Sequence, residues 1–554
     1  MRKFWPYITL LILLVPSFWN LLKPGYFNMH DDLQVMRLYE MQKCFTDGQI
    51  PCRWVPDMGY GYGQPMLNFY SAFPYYLGQL IRLITPLTLI WTVKTLFIIA
   101  FIGAAFGMYF LACEFWGEWG GLTAAILYTY APYHSVDIYV RGAMSESFAL
   151  MLLPFLWLAF YKLIEKGGFK YIALTSIVFG LFLSTHNVSS LISAPFTIIW
   201  VTYWIIRFNK IKSIRDIVFS GLLGMGLAAF FILPVAIETG LIQSNFLTMD
   251  YLDYRGHFVT IYQLLISRHW GYGPSIFGPN DDFSFAIGWP NWWLGLPLVG
   301  LVILWFKNKA RRKNAFLILG LLIFAGTGAL LTHERSTPIW IHLPFLAIVQ
   351  FPWRFLGLTI FSLSFASGAL IVREFKYHKL LAALIIALSI GFNFMFFTPQ
   401  YFFSNETDTT KLSGEEFVIQ EKSAILDYLP KTAPVAPKEK AFATPMVSSG
   451  SVEIKNYSVR SNAFFFDANI FTPSEIKVPI MYFPGWVIIN GGKIIPDFPS
   501  GNYGVITFKL AKGQYIIQGR FTDTWPRTLG NALTVISMII LVVGAGIWVN
   551  SKHD

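Results

Sequence analysis

Apolar runs recur along the chain near residues 4–22, 88–112, 119–133, 145–164, 171–186, 187–206, 216–236, 289–306, 314–331, 354–372, 379–397 and 529–549. A helix needs about 20 residues to cross a hydrocarbon layer about 30 Å thick, so these twelve stretches are read as spans, the third and fifth short. The first follows Arg2 and Lys3 and has no small-residue cleavage site after Trp19-Asn20-Leu21-Leu22, so it is expected to remain as a span. Long hydrophilic segments separate some of the runs, at 23–87, 237–288, 332–353 and 398–528. In the last of these the period changes to two. Ser451–Val459, Ala463–Thr472, Glu475–Phe483, Gly504–Leu510 and Gln514–Phe521 alternate as half-buried strands do. Asn490-Gly491-Gly492 and Ala511-Lys512-Gly513 supply residues that tight hairpins demand. The expected fold is a polytopic α-helical membrane protein of about 12 transmembrane helices with a β-sandwich-like domain before the last helix. Residues 1–397 form the transmembrane part, 398–528 the β-rich domain, and 529–554 the final helix and a short tail.

Composition removes the soluble alternatives. Hydrophobic residues are 55% of the 554 and charged residues 13%, against about 45–50% and about 25% in soluble domains. A mean hydropathy of +0.51, with 52 Phe, 27 Tyr and 19 Trp, excludes a disordered chain. The formal charge of +11 raises the question of nucleic acid, but Lys and Arg are scattered between apolar runs instead of clustered on one surface. With a cytoplasmic N-terminus, the basic surplus falls in the short inner segments, at Arg2 and Lys3, 162–170, 207–215, 307–313, Arg373 to Lys379, and Lys552, while the remainder nearly balances. The charge therefore reports topology. Both termini are expected in the cytoplasm, the four long segments and the β-domain outside, and the protein in the cell membrane.

The first outer loop, 23–87, holds the most suggestive chemistry. His30-Asp31-Asp32 stands just beyond the first span, at the level of lipid headgroups. Paired carboxylates repel, so one can be raised toward the working pH as a general base while its partner orients a substrate or a cation. The competing reading is an N-cap for an amphipathic helix over Leu33–Phe45; the two roles are compatible. Cys44 and Cys52 flank a Gly-Pro turn in the same loop and are read either as a disulfide or as free thiols. Further along, glycines alternate with aromatics from Arg53-Trp54 to Pro65, a run suited to lying over a polar head group or to anchoring at the interface.

The ordered motifs carry a resemblance. His30-Asp31-Asp32, Gly48-Gln-Ile-Pro51-Cys-Arg53-Trp54, Gly61-Tyr-Gly63-Gln-Pro65, Phe69-Tyr70, Ala131-Pro132-Tyr133-His134 and Tyr139-Val-Arg141-Gly142-Ala-Met-Ser-Glu146 recur in that order. Leu183-Ser-Thr-His186-Asn187, Leu233-Pro234-Val-Ala-Ile-Glu238, Gln350-Phe-Pro-Trp353-Arg354 and Phe483-Pro484-Gly485-Trp486 follow. Together they resemble the membrane-protein family labelled 6-pyruvoyl-tetrahydropterin synthase-related, whose organisation is similar to that of GT-C glycosyltransferases. The resemblance implies transfer of a sugar from a polyprenyl-phosphate carrier to a glycan, lipid or protein acceptor at the outer face, with Asp31 or Asp32 as the base. A departing lipid phosphate calls for cationic donors. Arg141 and Arg354 are the first choices, ahead of Arg268, His269, His333 and Arg335, with an Arg141–Glu146 ion pair as the structural alternative. His30, Asp57, Asp137, Glu146, His186 and Glu238 are supporting residues, and a divalent cation beside His134 and Asp137 is open. Two other classes compete, a lipid-linked sugar transporter and a non-catalytic glycan-binding surface protein. Transporters place charged sites near the bilayer midplane, whereas these acids and arginines gather at span ends.

Overall fold

The computed structural model describes residues 4–278, 280–372 and 374–550, apart from the side chain of Leu247. Arg2, Lys3, Arg373 and Lys552, used above for orientation, lie outside the described residues. Each of the twelve apolar stretches is helical. By length and composition, nine helices among the described residues can cross a membrane, or ten when the bent pair Ser213–Leu227 and Ala229–Leu241 counts as one span. Two differences separate this count from twelve. The runs at 88–112 and 119–133 form one 41-residue helix, Leu89–Thr129, which leaves helical geometry at Gly117, with φ of 72°. Unbroken, 41 residues would reach about 60 Å, twice the hydrocarbon thickness. Phe169–Leu183 is an apolar helix too short for the criterion.

Small residues let the central helices approach closely. A Cβ on Gly120 would stand 2.8 Å from the Gly368 carbonyl oxygen, and one on Gly368 would meet Gly120 equally closely. In lipid, such contact replaces the hydrophobic drive available in water. Aromatic rings fill the remaining space, with Trp157 stacked on Trp200 at 4.6 Å.

The hydrophilic segments gather at one end of the bundle. Tyr26 pairs with Phe403 across the first and last of them. His30 Nε2 meets the Tyr272 carbonyl oxygen at 2.7 Å, and Ile242 bridges to Pro430. The first loop carries the helix Gln34–Thr46, and Cys44 and Cys52 are joined as a disulfide. Replacing both cysteines with serine is expected to lower unfolding free energy by about 2–3 kcal/mol through loss of the short closed loop. Thermal unfolding under oxidising and reducing conditions checks this, since only the native chain will respond to reductant.

The β-domain is one seven-stranded antiparallel sheet: β1 Met446–Arg460, β2 Ala463–Met481, β3 Trp486–Asn490, β4 Lys493–Ile495, β5 Asp497–Ser500, β6 Val505–Leu510 and β7 Gly513–Phe521. The two runs expected as separate strands at Ala463–Thr472 and Glu475–Phe483 are the single strand β2. Its first half pairs with β7 and its second half with β6, while β1 covers its other edge. Inward residues of both halves, Phe464 and Ile470 with Ile476 and Val478, share one core, which accounts for the sandwich-like pattern. Asn490-Gly491-Gly492 turns β3 into β4, with φ of 53° and 81° at the glycines. Ala511-Lys512-Gly513 is not a hairpin, because β6 and β7 do not pair with each other but follow one another in the same direction along β2.

Candidate functional site

The acid pair is fixed by its backbone before its side chains matter. His30 N donates to the Val140 carbonyl oxygen and Asp31 N to that of Arg141, both at 2.9 Å. This lays the first loop along the turn before the helix Met144–Lys166. The approach depends on Gly142, at φ of +66°, where a Cβ would lie 2.2 Å from Met29 Sδ. Gln34 Nε2 ties the two segments together by donating to the Gly142 carbonyl oxygen at 2.8 Å.

The carboxylates do not cap the helix that follows. Leu33 occupies the N-cap position, and no side chain bonds there. Asp31 instead accepts two bonds from Arg37, at 2.6 and 3.0 Å, and Asp32 Oδ2 accepts from Lys411 Nζ at 2.6 Å. Charge-assisted bonds of this kind outweigh a capping bond. Burial raises the Asp32 carboxyl to about 6 even against the lowering effect of Lys411. Its Oδ1 is buried and has no hydrogen-bond donor. Asp427, brought in from the segment before the β-domain, is likewise raised to about 6 by burial and by the charge of Asp31. Tyr70 lies under Arg37 at 4.3 Å. Burial and the Arg141 charge lower the His30 imidazole, which favours its neutral form.

Arg141 belongs to a second, deeper cluster. It donates to Asp137 and, at 2.7 Å, to Glu146 Oε2, and it stacks over Trp353 at 4.6 Å. Arg354 Nε stands 3.5 Å from the same Glu146 oxygen, while its Nη1 donates to the Val349 carbonyl oxygen and to Gln350 Oε1. Tyr133 donates its hydroxyl to Glu146 Oε1 at 2.5 Å. Burial, followed by the Glu146 charge, pushes Asp137 upward toward its neutral form. The guanidiniums of Arg141 and Arg354 thus converge on the Glu146 carboxylate. Glu146 and Arg354 line a cavity of about 30 Å³, the share of one water molecule.

Of the residues singled out from sequence, the structure brings together His30, Asp31, Asp32, Asp137, Arg141, Glu146 and Arg354. His186 lies beside this group as the N-cap of Asn187–Phe208, its Nδ1 2.7 Å from Ser189 Oγ. The others are committed elsewhere. Arg268 donates to the Phe392 carbonyl oxygen at 2.6 Å and stacks on Trp289. His269 pairs with Asp282. His333 caps a short turn by accepting from Arg335 N, and Arg335 is exposed. Asp57 pairs with Lys43 and donates its N–H to Glu40. Glu238 accepts from Asn68, Thr524 and Arg527, a joint between the first loop and the last helix. The glycine–aromatic run does not lie over the acid pair; Trp54 is buried against Trp486 and Phe521 of the β-domain. Among the described residues, no three His, Cys, Asp or Glu are grouped to hold a metal. Sequence reasoning missed Arg37 and Lys411. Arg37 was within sight, six positions after Asp31; Lys411 is 379 residues from Asp32 and left no local signal.

These features define a polytopic membrane protein with a paired-acid site at the loop end of its helices. Residues 67–398 match the 6-pyruvoyl-tetrahydropterin synthase related domain, a membrane-protein family, and the chain belongs to that family. An uncharacterized protein of Lactococcus lactis subsp. cremoris (strain MG1363) is 25% identical over 213 residues, which span 36% of this chain and only 34% of that relative. Three solved structures are similar at low scores. The Archaeoglobus fulgidus oligosaccharyltransferase tethered with an acceptor peptide has a TM-score of 0.40 at 15% identity, over 72% of this chain and 55% of its own. The arabinofuranosyltransferase AftD from Mycobacteria scores 0.38 at 16%, over 73% and 29%. ArnT from Cupriavidus metallidurans, bound to undecaprenyl phosphate, scores 0.36 at 10%, over 75% and 92%.

Proposed function

We propose that the protein is a membrane glycosyltransferase that moves a sugar from a polyprenyl-phosphate donor to an acceptor hydroxyl at the extracytoplasmic face. One observation carries the reading. Asp32 Oδ1 is a buried acceptor without a donor, in a carboxyl raised to about 6, on a loop bonded directly to the backbone of Arg141. An orphaned acceptor costs about 1–3 kcal/mol, which a donating substrate hydroxyl offsets. Asp32 is therefore the base of the pair. Asp31, held on both oxygens by Arg37, is the positioning partner. As the donor bond breaks, charge grows on the phosphate, and the guanidiniums of Arg141 and Arg354 are placed to receive it. A phosphate enters there only if the small cavity beside Arg354 widens. The disulfide of the first loop suits an oxidising compartment, and the position of the charged cluster at helix ends disfavours a transporter.

Transfer of radiolabelled sugar from its polyprenyl phosphate tests the reading, and its pH dependence identifies the base. Protonation removes the base form, so kcat/KM is expected to fall as pH drops through about 6. Lys411→Gln removes a neighbouring cation that lowers the Asp32 carboxyl, so the acidic limb moves upward, by about one pH unit. The effect on stability has the opposite sign. A carboxyl raised in the folded state contributes stability below its ordinary range that is lost as pH rises through about 6. A limb left in place by Lys411→Gln removes Asp32 from the role.

A further inference from the structure

A cavity of about 510 Å³ opens in the 237–288 segment, beyond the acid pair and the arginines. Its size lies within the range of about 300–1,000 Å³ typical of ligand pockets. Tyr262 and Gln263 line it from the helix Ile261–Leu265, and Asp281, Phe283 and Ser284 from the run that follows. Ser284 is only 3% exposed, and its Oγ has no hydrogen-bond partner. Asp281 is held rigidly. Its Oδ2 accepts from Gln263 Nε2 at 3.2 Å and its Oδ1 from Phe283 N at 3.1 Å, while Gln263 Oε1 is itself fixed by Thr260 N at 2.9 Å. The Ile276 N–H also bonds to this carboxylate, which leaves one lone pair for a further donor.

The rim is aromatic. Tyr262 is 64% exposed and Phe277 47% exposed. Phe283 forms the wall shared with the acid site, its ring 5.0 Å from Trp353 and 6.0 Å from His30. The charges select against anions: Asp281 lines the cavity and Asp282 neighbours it, and His269, which also lines the cavity, is already paired with Asp282 at 2.8 Å.

We infer that this cavity binds an uncharged sugar ring, with its hydroxyls on Asp281 and Ser284 and its apolar face against Tyr262. The inference deepens the transferase reading and rests on it only for the source of the sugar, which is either the lipid-linked donor or a glycan acceptor. Saturation-transfer NMR on the full chain in detergent tests it, using the methyl glycosides of common neutral pyranoses and their disaccharides, with methyl glucuronide as the anionic control. Saturation of at least one neutral glycoside, and none of the glucuronide, is expected. Tyr262→Ala, an exposed position, is expected to weaken binding roughly five- to tenfold, and Ser284→Ala to weaken it as well. Asp32→Asn leaves it unchanged. No saturation by any neutral glycoside, or binding untouched by both pocket variants, overturns the inference. Competition assigns the source. A sugar-bearing polyprenyl phosphate that displaces the glycoside where bare polyprenyl phosphate does not marks a donor pocket, and displacement by neither marks an acceptor pocket. Equal displacement by both means that lipid fills the space and the inference fails. Binding without detectable transfer would leave the pocket standing and sink the role of the acid pair instead.

Discussion

Asp32→Asn is expected to lower kcat/KM for sugar transfer by about a thousandfold, with folding intact. The substitution keeps the shape of the side chain and removes its ability to take a proton, and positioned general bases typically contribute about 10²–10⁴ in rate. Stability is expected to change little, because the native carboxyl is already raised to about 6 and sits beneath Lys411 without a donor on Oδ1. Asp31→Asn behaves differently. Its two bonds from Arg37 turn into one acceptor and one amine facing a guanidinium, so the loop loosens and both stability and KM suffer. Equal losses in the two variants, each with the same drop in thermal stability, would make the pair a structural clasp and leave the chemistry without a base.

Arg141 and Arg354 share a carboxylate, yet their removal is expected to give opposite signatures. Arg141→Met strands Asp137 and Glu146 in the interior, and breaking a buried pair from one side costs about 3–5 kcal/mol. The variant should express poorly or unfold at lower temperature, whatever its activity. Arg354→Met leaves Glu146 still bonded to Arg141 and Tyr133. Its stability loss is smaller, and the main effect is expected on affinity for polyprenyl phosphate, weakened more than about tenfold as a charge-assisted phosphate contact disappears. Thermal unfolding together with a lipid-phosphate binding isotherm separates the two. Unchanged affinity in Arg354→Met would confine that residue to holding the Val349 carbonyl and Glu146 in place.

Much of this architecture was legible because its signals are periodic and local. Apolar runs of helical length announce spans wherever they occur, and alternation announces strands, so the twelve helical stretches and most of the β-domain needed no long-range information. The exceptions have physical causes. Hydropathy does not register that two runs join across Gly117, since a glycine at positive φ breaks helical geometry without interrupting the apolar pattern. Nor does it show that the two alternating runs at Ala463–Thr472 and Glu475–Phe483 join in the single strand β2, for both halves alternate in the same way. His30-Asp31-Asp32 stood out by its distance from the first span. The distant partners of those acids did not, because Lys411 and Asp427 are contributed by a segment 379 residues or more away along the chain. Position at a span end also said nothing of direction. Arg268 and Glu238 fall outside by the same topology as Arg141 and Glu146, yet they close on a backbone carbonyl and on Arg527 instead of on the site.

The acid pair and the arginine cluster are expected to form one site around a lipid-borne phosphate. A structure of the protein with polyprenyl phosphate bound tests this. The phosphate oxygens are expected on Arg141 or Arg354, with Asp32 Oδ1 turned toward the space beside the phosphate. A lipid phosphate seated at the opposite end of the helices, near Trp116 and Arg311, with Asp32 still closed beneath Lys411, would contradict it.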